Sequence, residues 1–149
     1  MGKIGVLRII FLGDGEWAAR ALRLLVDAAY DVCCVVDRVC PTSGALALAA
    51  NSLALPYIQP AQINDDSNLS VLSKFDAELG VSFSYDQIFS ERLLGTTNAG
   101  YINCHAGALP NYRGRNVLNW ALINGESEIG LTVHKIDKGV DTGDILSQE

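Results

Sequence analysis

Short apolar runs alternate with stretches of helical period along the first two thirds of the chain. Apolar runs rich in β-branched and aromatic side chains predict buried strands, whereas apolar residues spaced three or four apart predict helices. The predicted strands are residues 8–12, 31–37, 56–58, 79–83 and 100–103. The predicted helices lie between them, within residues 18–29, 46–53, 69–75 and 90–94.

Regular alternation of strands and helices is typical of an α/β domain with a doubly wound, mostly parallel sheet, Rossmann-like, with helices on both faces. A further helix is predicted from about Arg115, followed by alternating strands at residues 129–136 and from Asp144 onward. We expect these last strands to add to the sheet in a mixed or antiparallel way. No linker or repeat divides the chain, so a single domain over residues 1–149 is predicted.

Composition and charge narrow the classes of function. The net charge is −6, and a nucleic-acid partner would need a basic stripe, so no nucleic-acid partner is expected. No apolar run approaches the ~20 residues of a membrane span, and residues 1–6 lack a signal-peptide pattern, which predicts a cytoplasmic protein without membrane contact. The four cysteines contain no C-x-x-C pair, so neither a metal site nor a disulfide framework is expected.

The strongest candidates for catalytic residues lie at the end of the fifth predicted strand and just after it. Asn103 and His105 are two residues apart, so their side chains point to the same face of an extended strand. An amide can donate to a developing oxyanion, and an imidazole can transfer protons near neutral pH. A later glycine-flanked loop carries Asp137, Asp141 and Asp144, and a carboxylate there could orient the histidine. His134, within an alternating strand, is interpreted as a structural residue.

The first strand supports a competing interpretation. Gly13-x-Gly15-x-x-Ala18 follows a strand and opens a helix, and Asp37 ends the next strand about 20 residues on, which fits a dinucleotide-binding fingerprint. A nicotinamide-binding Rossmann module of an oxidoreductase is therefore an alternative. The same glycines would also suit a tight strand-to-helix turn with no ligand.

The second half of the chain resembles the folate-dependent formyltransferases. The residues that carry the resemblance are Asn103-x-His105, Leu109-Pro110, Arg113-Gly114 and Asp141-Thr142-Gly143. The segment from Tyr112 to Glu126 is more similar to the nucleotide-sugar N-formyltransferases than to other branches. The resemblance implies a formyltransferase catalytic domain, truncated at its C-terminus. An inactive formyltransferase fragment is therefore a second alternative.

The resemblance also implies substrates and residue roles. The formyl donor would be 10-formyltetrahydrofolate, and the acceptor would be the amine of a nucleotide-linked amino-deoxysugar. Asn103 would stabilise the oxyanion, His105 would transfer a proton, and Asp141 would orient His105. Other residues would bind the pterin ring of the donor or the nucleotide phosphates of the acceptor, and a homodimer is left open. The pterin residues would be Gln87, Ile88, Phe89, Asp137 and Val140, and the phosphate residues would be Arg113 and Arg115.

Overall fold

The structure, a computed structural model, describes residues 6–149; residues 1–5, on which the signal-peptide prediction rests, lie outside the described residues. The strands are β1 Arg8–Gly13, β2 Asp31–Asp37, β3 Tyr57–Ile58, β4 Leu79–Phe83, β5 Tyr101–His105, β6 Thr132–Lys135 and β7 Ile145–Gln148. The helices are α1 Gly15–Asp27, α2 Ala45–Ser52, α3 Asp66–Ser73, α4 Glu91–Leu94 and α5 Val117–Ile123.

The strands form one seven-stranded sheet in the order β3-β2-β1-β4-β5-β6-β7. Strands β1 to β5 pair in parallel, whereas β6 and β7 pair antiparallel to their neighbours. The chain winds outward from β1 to β3, then crosses back to β4 on the other side of β1. This reversal confirms the predicted doubly wound sheet with mixed final strands, and it places a topological switch point between β1 and β4.

Successive side chains of the central strands point to opposite faces of the sheet, so the apolar core has two parts, one on each face. Phe11 and Val35 pack with α1 and α2, whereas their neighbours Leu12 and Cys34 pack with α3 and α4 on the opposite face. Because both faces are covered, these strands are apolar at nearly every position, as parallel strands usually are. None of the helices within residues 6–149 is long and apolar enough to cross a membrane.

Three boundaries differ from the sequence prediction where the site is built. β5 continues to His105 instead of stopping at Asn103, because its ladder with β6 extends to the pair His105–Thr132. α5 begins at Val117, two residues later than predicted, because Asn116 takes a left-handed backbone with φ of 57°. β6 begins at Thr132 and ends at Lys135, so it is shorter than the alternating pattern at residues 129–136 predicts.

Gly80 is expected to tolerate no side chain. It lies opposite Tyr101 in the β4–β5 ladder, and a Cβ atom there would be 1.9 Å from the buried Tyr101 ring. We expect Gly80→Ala to lower the free energy of unfolding by about 1–3 kcal/mol or more through overpacking. Gly95→Ala is the control, because its Cβ would meet only ordinary contacts of 3.5 Å or longer. Equal denaturation midpoints for the two variants would contradict this explanation.

Candidate active site

The antiparallel pairing of β5 with β6 gathers polar side chains on one face of the sheet. Asn103 lies directly opposite His134, and His105 lies opposite Thr132. Directly paired residues point to the same face, as do residues two apart on one strand. All four side chains therefore share a face at the carboxyl end of β5, where ligands bind in sheets of this type.

Asp141 joins this group from the loop after β6. Its Oδ2 atom lies 3.6 Å from Nδ1 of His105, and its Oδ1 atom lies 3.4 Å from Nε2 of His134. The amide nitrogen of Asn103 lies 3.3 Å from the same Nε2 atom. The structure thus brings together the three residues predicted for catalysis, Asn103, His105 and Asp141, and adds His134, which the sequence interpretation had left as structural.

Position 143, two residues after Asp141, requires glycine for a steric reason. A Cβ atom on Gly143 would lie 1.9 Å from the carbonyl oxygen of Lys135, so the loop can close against β6 only with glycine there. Asp141 itself has a left-handed backbone with φ of 51°, a conformation that Asp and Asn tolerate better than most residues. The Asp-x-Gly spacing therefore fixes how the carboxylate returns to β5.

Residues 112–114 connect His105 with Asp141. The carbonyl of Tyr112 lies 2.6 Å from Nε2 of His105, which makes that ring nitrogen a donor, and the amide of Gly114 donates to Oδ2 of Asp141 at 2.8 Å. The guanidinium of Arg113 donates through Nε to the backbone carbonyl of Asp141 at 3.1 Å. Both nitrogens of His105 therefore face protein groups in this arrangement.

Thr132 and Gln148 hold the loop that follows β5. The hydroxyl of Thr132 donates to the Gly107 carbonyl at 2.7 Å and accepts from the Leu109 amide at 3.3 Å. The side-chain amide of Gln148 donates to that hydroxyl and to the Leu109 carbonyl. These bonds tie residues 107–109 to the edge of the sheet and so fix the start of the loop that contacts His105.

The two arginines predicted to bind phosphate differ in their surroundings. Arg113 is occupied in part by Asp141, so its side chain also serves to hold the Asp141 loop. Arg115 lies on the exposed surface just before α5. Both arginines are exposed, but only Arg113 has its guanidinium engaged in a hydrogen bond within residues 6–149.

The residues predicted to bind the pterin ring fall into two groups. Gln87 and Ile88 line a cleft of about 490 Å³, together with Arg38 and Asp86. The side chain of Gln87 is occupied, because it accepts from the Ile63 amide and donates to the Pro60 carbonyl. The side chain of Ile88 is 70% exposed.

The Phe89 ring lies in the core, 5.2 Å from the ring of Tyr101, so Phe89 can offer a ligand only its backbone. Asp137 and Val140 lie on the Asp141 loop, away from the lining of the 490 Å³ cleft. Val140 is 53% exposed. A hydrogen bond from the Thr142 hydroxyl lowers the pKa of the Asp137 carboxyl, and a second one from the Gly139 amide adds a smaller effect in the same direction. The carboxylate of Asp137 thus stabilises its own loop.

The glycine-rich turn after β1 lacks the free carboxylate of a dinucleotide site. Asp37 is fully buried, accepting from the Tyr57 hydroxyl at 2.8 Å and from the Arg38 amide. Burial raises the pKa of its carboxyl, an effect opposed by the Tyr57 hydrogen bond. Neither oxygen is presented to a ribose. Gly13 instead permits close packing, since a Cβ atom there would lie 2.7 Å from that of Ala18.

A model of the formyl transferase family matches residues 7–149. The chain belongs to the formyl transferase family. The resemblance in the sequence is therefore confirmed at the level of the family. Among residues 6–149 of this formyl transferase chain, no group of three or more His, Cys, Asp or Glu side chains is arranged to hold a metal ion.

Relatives and solved structures of the family cover the chain almost entirely. It is 37% identical over 157 aligned positions to the methionyl-tRNA formyltransferase of Syntrophus aciditrophicus, covering 100% of this chain and 49% of that protein. The phosphoribosylglycinamide formyltransferase from Bacillus halodurans superposes with a TM-score of 0.82 at 20% identity, over 95% of this chain and 78% of that one.

An N-formyltransferase from Helicobacter canadensis, in complex with folinic acid and dTDP-3-aminofucose, gives a TM-score of 0.74 at 22% identity, over 96% and 52% of the two chains. At these identities the solved structures establish a shared fold. The chain spans about half the length of the curated relatives that it matches.

Proposed function

We propose that the chain transfers the formyl group of 10-formyltetrahydrofolate to a primary amine. The observation that carries the proposal is the convergence of Asn103, His105 and Asp141 at the carboxyl end of β5, in a chain of this family. An amide donor, an imidazole and a carboxylate on one face suit acyl transfer, in which charge develops on an oxygen and a proton must move.

The reaction forms a carbon–nitrogen bond and breaks another. The neutral amine attacks the formyl carbon, and a tetrahedral intermediate forms with negative charge on the former carbonyl oxygen. A side-chain N–H of Asn103 stabilises that oxygen. The new bond then persists while the bond to the folate nitrogen breaks, the amine loses one proton and the folate nitrogen gains one.

His105 and Asp141 transfer these two protons. Asp141 stabilises a protonated imidazole from 3.6 Å, a distance for an ion pair rather than a direct hydrogen bond. Because Nε2 of His105 already donates to the Tyr112 carbonyl, delivery of that proton to the folate requires the Tyr112 loop to release it. Asp141 can accept the proton of the amine through a water molecule.

The formyl donor, 10-formyltetrahydrofolate, would bind between the segment after β4 and the Asp141 loop. A flat heterocycle needs apolar walls with a few backbone hydrogen bonds. The exposed side chains of Ile88 and Val140 supply apolar surface. The backbone of Gln87, Phe89 and Asp137 would then form the hydrogen bonds to the ring. This arrangement suits the pterin ring of a folate.

For the acceptor, we propose the amine of a nucleotide-linked amino-deoxysugar. The net charge of −6 disfavours a large polyanion, whereas Arg113 and Arg115 together are enough for one phosphate group or a diphosphate, since a guanidinium binds phosphate through paired hydrogen bonds. The Helicobacter canadensis enzyme, whose complex includes dTDP-3-aminofucose, shares the fold. Aminoacylated initiator tRNA is the second candidate, favoured by 37% identity to a methionyl-tRNA formyltransferase.

Calorimetric titration tests the proposed formyl donor, and a turnover assay tests the proposed acceptor. We expect 5-formyltetrahydrofolate to bind and NADH not to bind, because Asp37 is buried by Tyr57. With 10-formyltetrahydrofolate, amino-sugar nucleotides should be formylated faster than methionyl-tRNA. A preference for tRNA would overturn the sugar assignment alone. Binding of folate without any transfer would identify an inactive fragment, and binding of NADH in place of folate would overturn the proposal.

A further inference from the structure

His134 is the less exposed of the two histidines at the site, and it contacts two of the candidate catalytic residues. Its ring is 2% exposed, lies across the β5–β6 ladder from Asn103, and is perpendicular to the ring of His105 at a centroid distance of 6.3 Å. The proposed reaction assigns it no step. Yet its Nε2 atom faces both the Asn103 amide nitrogen, at 3.3 Å, and Oδ1 of Asp141, at 3.4 Å.

The backbone determines which nitrogen of His134 carries a hydrogen. Nδ1 lies 2.7 Å from the carbonyl oxygen of Lys135, which can only accept, so Nδ1 is the donor. In a neutral ring, Nε2 then has a free lone pair, and the Asn103 amide nitrogen facing it can only donate. A hydrogen on Nε2 would instead face the Asn103 donor at 3.3 Å and the carboxylate of Asp141 at 3.4 Å, and Asn103 would then lose its acceptor.

The hydrogen bond to His134 orients the Asn103 amide. A primary amide nitrogen carries two hydrogens in a fixed plane. When one of them donates to Nε2 of His134, the direction of the other is set, and the Asn103 side chain loses its freedom to rotate. Stabilisation of an oxyanion depends on donors that are already in place before charge develops.

We propose that His134 is a positioning residue: in its neutral form, protonated on Nδ1, it holds the Asn103 amide so that the second N–H faces the developing oxyanion. This inference rests on the proposed formyl transfer. It makes His134 act through Asn103, so its contribution should vanish when Asn103 is removed. A residue that only fills the core would have the same effect with or without Asn103.

A double-mutant cycle separates the two roles. We expect His134→Leu to lower kcat by about 10- to 100-fold, as for a misplaced donor, with the KM for 10-formyltetrahydrofolate nearly unchanged. His134→Gln, which restores an acceptor oxygen, should recover most of the rate. In an Asn103→Ala background, His134→Leu should have less than about a threefold further effect. Leu22→Val, in α1 on the far side of the core, is the control for a variant with lowered Tm.

A spectroscopic readout tests the same inference without turnover. The chain has 2 histidines, so long-range ¹H–¹⁵N correlation spectra can be assigned by comparison with His134→Leu. At neutral pH, we expect His134 to carry its hydrogen on Nδ1 alone. A hydrogen on Nε2, or an equal loss of rate from His134→Leu in both backgrounds, would overturn the inference. Failure of the wild-type protein to transfer formyl would instead count against the proposed function, and the spectrum would still decide the tautomer.

Discussion

Replacement of Asn103 by alanine is expected to lower kcat for formyl transfer by about 100- to 1,000-fold, the usual effect of removing one oxyanion donor. The KM for the formyl donor should change little, because the N–H of Asn103 is needed most when negative charge develops on the oxygen. Asn103→Ala should leave the fold intact, because the Asn103 side chain is only half-buried and its backbone keeps its pairing with β4 and β6.

Steady-state kinetics, with the amine acceptor held at a fixed concentration, gives kcat and the KM for the formyl donor in the wild-type protein and in Asn103→Ala. Asn119→Ala is the matched control, because Asn119 is exposed on α5 and should be replaceable without change in kcat. A kcat of Asn103→Ala within about threefold of the wild-type value would mean that oxyanion stabilisation comes from elsewhere.

Replacement of Asp141 by asparagine is expected to have the second largest effect, a loss of about 100-fold or more in kcat with the donor still bound. Asparagine keeps the size of the side chain and tolerates the left-handed backbone with φ of 51°, so the loop should be retained. What is lost is the negative charge that faces both imidazole rings from 3.6 Å and 3.4 Å. An amide cannot stabilise a protonated imidazole as a carboxylate does.

Asp144→Asn provides the control for Asp141→Asn. Asp144 lies on the same loop, but its side chain is 82% exposed and, within residues 6–149, forms an ion pair only with Lys135, whose side chain is 57% exposed. Exposed pairs of this kind contribute little, so kcat should stay close to the wild-type value. Similar losses in the two variants would indicate a general effect of loop charge, not a role of Asp141.

The fold could be predicted from the sequence because its signals are local. The apolar runs of β1 and β2, and the helical spacing of α1, each lie within one short window. Strand boundaries at the site were predicted less well. β5 reaches His105 because it pairs with β6, about 30 residues further along the chain, and no local pattern encodes that partner.

The proximity of His134 to Asn103 and Asp141 could not be predicted for the same reason. Its contact with Asn103 follows from the register between β5 and β6, which is a property of the folded sheet. One signal was available, since Thr132 and His134 put two polar side chains on the same face of an otherwise alternating strand. Buried polar groups need hydrogen-bond partners, so this pattern could have indicated a network. The core position of Phe89 also depends on a distant partner, Tyr101.

The central claim is that Asn103, His105 and Asp141 form one unit that transfers a formyl group, and the coupling of His105 with Asp141 tests it most directly. The measurement is single-turnover transfer from 10-formyltetrahydrofolate by the wild-type protein, His105→Ala, Asp141→Asn and the double variant. Residues that act as a unit lose most of their contribution at the first substitution. The account predicts a double variant little slower than the slower single variant. Near-wild-type rates in both single variants would contradict it, and His105 and Asp141 would then be structural residues at the end of a strand and in a turn.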